Sequence, residues 1–129
     1  MNRAVGVDDA SKAHIVVVDD DLLVREGLCD CVESAGYSVE GFASAEEFLA
    51  SNSEPDTACL ILDIQLPGQT GLELQRRLRN AAGPPIVFVT ANVMDAIRET
   101  ALKLGAKGFL SKPVRCQDLL IAVRAAIES

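Results

Sequence analysis

The sequence predicts an α/β fold, a five-stranded parallel β-sheet with helices on both faces, and three observations carry that prediction. Short apolar runs alternate with segments of helical spacing, five times over. The strongest runs are apolar throughout rather than alternating, which suits strands covered on both sides. Glycine, proline and aspartate stand at the junctions, where turns and helix ends need them.

Residues 1–13 carry no hydrophobic periodicity and read as a flexible lead-in to one domain over 14–129. The first strand, 14–18, is His-Ile-Val-Val-Val, and Asp19-Asp-Asp21 stops it. A helix over 22–35 places Val24, Leu28, Cys31 and Val32 on one face and ends at Gly36. Residues 37–42 form the second strand. Ser44-Ala-Glu-Glu47 is a capping box that opens a short helix with Phe48 and Leu49.

The third strand, 57–62, ends at Asp63, and Pro67-Gly68 makes a turn. A helix over 71–81 carries Leu72, Leu74 and Leu78, with Arg76, Arg77 and Arg79 mostly facing water. Gly83-Pro84-Pro85 is a hard break before the fourth strand, 86–89, which ends at Thr90. A helix over 94–104 closes at Gly105. A fifth strand, 108–110, precedes Ser111-Lys112-Pro113, and the last helix, 115–127, lines up Leu119, Leu120, Val123 and Ile127.

Composition narrows the function. The 129 residues fit a single domain. Aromatics are 4% and Trp is absent, so the core is aliphatic. A net charge of −7 repels phosphate backbones and argues against direct nucleic-acid binding by this chain. No apolar run approaches the roughly 20 residues of a membrane span, and the polar N-terminus resembles no signal peptide, so a cytoplasmic location is expected. There is no C-x-x-C, and Cys29, Cys31, Cys59 and Cys116 are expected to be free thiols packed as small hydrophobes. His14 is expected to be structural.

In an open parallel sheet, ligands gather beyond the carboxyl ends of the strands. Those ends carry Asp19 and Asp20, Asp63, Thr90 and Lys112. Three close carboxylates repel by about 4 kcal/mol per pair at intermediate dielectric. A hard divalent cation such as Mg²⁺, together with the Lys112 ammonium, relieves that repulsion. The same set suits phosphoryl transfer, with an Asp nucleophile and cations on the phosphoryl oxygens. No Gly-rich phosphate loop occurs, which disfavours ATP or a dinucleotide as ligand.

Four pieces in order, Val18-Asp19-Asp20, Asp63 to Gly71, Val89-Thr90-Ala91 and Lys112-Pro113, make the chain resemble the response-regulator receiver domain from about Ala13 to Ile127. The wording around Asp63, Thr90 and Phe109 is most similar to FixJ-type receivers. The resemblance implies a flavodoxin-like, doubly wound fold with strand order 2-1-3-4-5. It implies Asp63 as phosphoacceptor, Asp20 as a direct Mg²⁺ ligand, Asp19 as holder of a metal-bound water, and a backbone carbonyl ligand at Gln65. It implies Thr90 and Phe109 as the switch pair, Lys112 as the phosphoryl-contacting lysine, and a cis Lys112–Pro113 bond.

The implied partner is a sensor histidine kinase, with the helix from Arg25 onward and exposed Leu22 and Leu23 as its docking surface. A C-terminal helix-turn-helix output domain in a longer parent, and a homodimer formed on phosphorylation, are compatible with the resemblance. Two departures stand out: Leu66 occupies a frequent Met position, and Phe109 replaces a frequent Tyr and so lacks a hydroxyl. The implied role is a phosphorylation switch in transcriptional regulation rather than a conventional enzyme.

Two other classes remain open at this point. A Mg²⁺-dependent phosphatase or phosphotransferase would want a second acid near Asp63 and a cap segment, and neither is seen. A phosphorylation-independent binding module would not need the intact set of site residues.

Overall fold

A computed structural model describes residues 13–80 and 82–129. The lead-in expected at the N-terminus lies outside the described residues except for Ala13, whose carbonyl accepts from Ser38 N–H at 3.1 Å and so extends the sheet. The elements run β1 His14–Val18, α1 Leu22–Ser34, β2 Ser38–Phe42, α2 Ala45–Ala50, a 3₁₀ turn Glu54–Asp56, β3 Cys59–Leu62, α3 Gly71–Asn80, β4 Ile86–Thr90, α4 Asp95–Lys103, β5 Gly108–Ser111 and α5 Cys116–Glu128.

The five strands form one parallel sheet in the order β2-β1-β3-β4-β5. The order follows from burial: β1, β3 and β4 are the runs buried almost throughout and take the centre. The sequence SVEGF of β2 alternates with exposed polar residues and takes an edge. Thr57 and Ala58 were expected in β3. They form its approach instead, because the 3₁₀ turn ends at Thr57, although Ala58 N–H still donates to the His14 carbonyl at 2.8 Å.

Alternate residues of the central strands feed two cores. Val16, Val18, Leu60, Leu62 and Phe88 pack with Phe48 of α2, Leu74 and Leu78 of α3 and Ala101 of α4. Ile15, Val17, Ile61, Val87 and Val89 pack on the other face with Leu28 and Val32 of α1 and Leu119 and Val123 of α5. Helices α2, α3 and α4 therefore share one layer, and α1 and α5 share the other.

The helix starts follow local chemistry. Asp21 is the N-cap of α1 and accepts from Val24 N–H at 3.2 Å. Ser44 caps α2 by accepting from Glu47 N–H at 3.1 Å, and Glu47 reaches back to Ala43 N–H at 3.1 Å, one residue before the usual capping-box partner. Gly36 and Gly105 take the left-handed conformation after α1 and α4, at φ of 96° and 100°.

The expectation of four free thiols is wrong for one pair. Cys31 of α1 and Cys116 of α5 are joined in a disulfide, while Cys29 and Cys59 are free. The cause is tertiary: the two helices lie side by side on one sheet face, although 85 residues separate the two cysteines. His14 is structural as expected, its ring nitrogens lying 2.9 Å from Ser38 Oγ and 3.1 Å from Glu40 Oε1 on β2.

Candidate functional site

Strand register brings the acids together. Val18 pairs with Leu62 across β1 and β3, so the next residues, Asp19 and Asp63, emerge side by side at the sheet's carboxyl edge. Asp63 N–H donates to the Val18 carbonyl at 3.1 Å, and Asp19 N–H to the Phe42 carbonyl at 3.1 Å, so both backbones are fixed. Asp19 and Asp63 are buried, at 1% and 5% exposure, whereas Asp20 is exposed. One carboxylate oxygen from each of Asp19, Asp20 and Asp63 falls within 4.8 Å of the others.

Lys112 arrives from the other side. Thr90 pairs with Ser111 across β4 and β5, and Lys112 N–H donates to the Thr90 carbonyl at 2.9 Å. The Lys112 ammonium donates to Asp63 Oδ2 at 2.7 Å and lies 2.8 Å from Asp19 Oδ2. Both contacts are ion pairs, so one ammonium bridges the two buried carboxylates. Burial works against the ammonium, but the two carboxylates outweigh it and hold the Lys112 pKa above the ordinary lysine range.

One ammonium offsets one of three carboxylate charges, so the cluster retains an anionic excess. Hard oxygen donors at this spacing fit a hard divalent cation. The second Asp63 oxygen, Oδ1, accepts from Gln65 N–H at 3.1 Å, and the Gln65 side chain is exposed.

Thr90 is fully buried at the end of β4, and its Oγ1 accepts from Asn92 N–H at 3.1 Å. Phe109 is half-buried on β5, its ring centroid 6.0 Å from that of Phe88. The Lys112–Pro113 bond is cis, as expected. Leu22 and Leu23 are exposed at 54% and 79%.

Two supporting residues escaped the sequence reading. Arg25 on α1 donates from Nη1 to the Asp19 carbonyl at 2.7 Å, pinning the acidic turn from below. Gly71 opens α3 so close to the phosphoacceptor candidate that a Cβ there would collide with the Asp63 carbonyl oxygen and come within 2.9 Å of Ile64 Cα. The glycine was visible in the motif. Its reason, a close approach of two backbones, was not.

A model of the response regulator receiver domain matches residues 15–124. The chain belongs to that family. It is 43% identical over 120 residues to Nodulation protein W of Bradyrhizobium diazoefficiens, covering 92% of this chain and 53% of that protein. It is 35% identical over 118 residues to the transcriptional regulatory protein FixJ of the same organism, covering 91% and 58%. It is 40% identical over 115 residues to the response regulator protein TodT of Pseudomonas putida, covering 88% and 51%.

Among solved structures, the response regulator StyR superposes with a TM-score of 0.80 at 43% identity, over 91% of this chain and 60% of that one. The chemotaxis protein CheY4 of Vibrio cholerae superposes with a TM-score of 0.81 at 27% identity, over 89% and 98%. The receiver thus has the CheY-like fold, and the chain spans about half the length of the curated relatives it matches. Among the described residues no helix is long and apolar enough to cross a membrane.

Proposed function

We propose that this receiver takes a phosphoryl group onto Asp63 from the phosphohistidine of a sensor histidine kinase, in a Mg²⁺-dependent reaction, and switches conformation to control an output domain or partner. The observation that carries the reading is the juxtaposition of three carboxylates with Lys112 at one sheet edge. Asp20, Asp63 and the Gln65 carbonyl are the proposed metal ligands, with Asp19 holding a metal-bound water. Bound there, Mg²⁺ offsets charge on the phosphoryl oxygens.

The Asp63 carboxylate is the nucleophile: an Asp63 O–P bond forms as the donor's N–P bond breaks, and the imidazole nitrogen keeps the bonding pair. Lys112 exchanges its carboxylate contact for a phosphoryl oxygen. Thr90 turns its hydroxyl from Asn92 N–H toward the phosphoryl group, and Phe109 follows into the space released. The chain also catalyses its own phosphoryl uptake and slow dephosphorylation without acting on a separate substrate.

The kinase docks at exposed Leu22 and Leu23 on the first turn of α1. Transcriptional control through a C-terminal helix-turn-helix domain, in a longer cytoplasmic regulator, belongs to the same reading, and one relative, FixJ, is named as a transcriptional regulatory protein. A phosphorylation-dependent homodimer belongs to the same reading.

The test is intact mass after incubation with acetyl phosphate, with and without Mg²⁺, on the wild type and Asp63→Asn. One Mg²⁺-dependent phosphoryl adduct, absent from the variant, is expected. Undiminished labelling of Asp63→Asn overturns the assignment.

A further inference from the structure

The disulfide between α1 and α5 stands outside the phosphoacceptor site, and its surroundings set it apart from a buried structural staple. Cys116 is exposed and Cys31 half-buried, so the pair lies at the protein surface. The other cysteines are placed differently. Cys59 is fully buried in the core, and Cys29, half-buried like Cys31, lies on the side of α1 that faces Gly41 of β2, away from Cys116. Cys116 is also the first residue of α5, where the helix's free N–H groups favour a thiolate.

The position of the pair gives it leverage. Cys116 follows Lys112 by four residues, so a bond to Cys31 ties the segment carrying Lys112 onto α1. The two cysteines also line an apolar cavity of about 500 Å³ between that segment and α1, with Leu23, Leu28, Val114 and Leu119, and Lys112 borders the same cavity. A surface bond at the rim of a cavity, across the two helices of this layer, can change the freedom of both walls at once.

We propose that Cys31 and Cys116 form a reversible oxidative-modification site, closed by a low-molecular-weight disulfide of the glutathione class, whose bridge clamps the Lys112–Cys116 segment against α1. The Cys116 thiolate attacks one sulfur of the small disulfide, forming a mixed disulfide and expelling one small thiolate. The Cys31 thiolate then attacks the Cys116 sulfur and expels the second. The two cysteines lose two electrons and two protons, and the small disulfide leaves as two thiols. A small dithiol reverses the sequence.

The experiment equilibrates the intact chain in glutathione buffers of graded ratio, quenches with acid, alkylates after denaturation, and reads mass and peptide map. Alkylatable thiols should fall from four to two as oxidised glutathione rises, with one cross-linked peptide joining Cys31 to Cys116, and return to four in dithiothreitol under native conditions. Amide hydrogen exchange of the wild type in both states then reads the clamp: exchange across residues 112–116 should slow at least about fivefold in the bridged form. The proposal is overturned by four thiols at every ratio, by a glutathione adduct on Cys116 that Cys31 never displaces, by a bridge that native dithiothreitol cannot open, or by equal exchange in the two states. None of these readouts requires phosphorylation, so the result is independent of the role proposed for Asp63.

Discussion

The two helical layers are held to the same sheet by different means. On one face, α2, α3 and α4 rest on aliphatic and aromatic packing, with Phe48 and Phe88 fully buried. On the other, α1 and α5 have a smaller aliphatic core and a covalent bond between the helices. The bonded layer carries Arg25 and the acidic turn. The unbonded one lies beside Phe109, which packs on Phe88. The contrast teaches that this receiver keeps the elements beside its acidic cluster tied and leaves its proposed switch side to be held by packing alone, where a small change in contacts can shift the balance.

The largest effect should come from the packed layer. Phe88→Ala is expected to destabilise by about 3–5 kcal/mol, since it opens a cavity under α3 and α4 and removes the ring that Phe109 leans on. Urea unfolding measures it, and a loss below about 1 kcal/mol would mean that this layer does not depend on its aromatic centre.

Next comes reduction of the Cys31–Cys116 bond, expected to cost about 2–4 kcal/mol because it closes a long loop in the unfolded chain. The Phe88→Ala loss should be the same in reduced and bridged protein, because the two sites lie on opposite sheet faces. A strong dependence on redox state would break the distinction between layers.

Gly71→Ala sharpens the comparison at the border of site and layer. The added methyl must displace either the start of α3 or the Asp63 carbonyl, for about 1–3 kcal/mol. Calorimetry and Mg²⁺ titration should show lost stability and weakened metal binding together. Intact stability with unchanged metal affinity would contradict the close approach.

The last effect is a slope that vanishes at neutral pH. Burial pushes the Cys59 thiol up from an ordinary 9.0 to about 12. Above about pH 9 the unfolded chain releases this proton and the folded chain keeps it. Stability therefore falls with rising pH, by about 1.4 kcal/mol per unit until about pH 12. The alkaline slope of urea stability should be shallower in Cys59→Val. Equal slopes would show that Cys59 ionises as readily folded as unfolded.

Most of the fold was legible because strand and helix leave different periods in a sequence. The apolar runs at 14–18 and 86–89 read as strands, and the carboxyl-edge rule then assigned Asp19, Asp20, Asp63, Thr90 and Lys112 to one rim. Element ends were less legible: Thr57 looks like a strand residue but finishes a 3₁₀ turn, and Ala13 looks like a lead-in but bonds to β2. The Arg25 contact left no local mark, because its partner is a backbone carbonyl six residues earlier that any residue could supply. The cysteine pairing was misread for a related reason: spacing along the chain says nothing of distance between helices.

By itself, then, the sequence determined the kinds and order of elements and the inventory of chemical groups at the strand ends, since periodicity and turn chemistry act within a few residues. Tertiary structure decided which groups touch. Parallel register set Asp19 beside Asp63, the pairing of β4 with β5 delivered Lys112 between them, and the sharing of one sheet face by α1 and α5 brought Cys31 to Cys116. Each of those contacts joins segments far apart in the chain, and only the packing of the whole sheet fixes their separation.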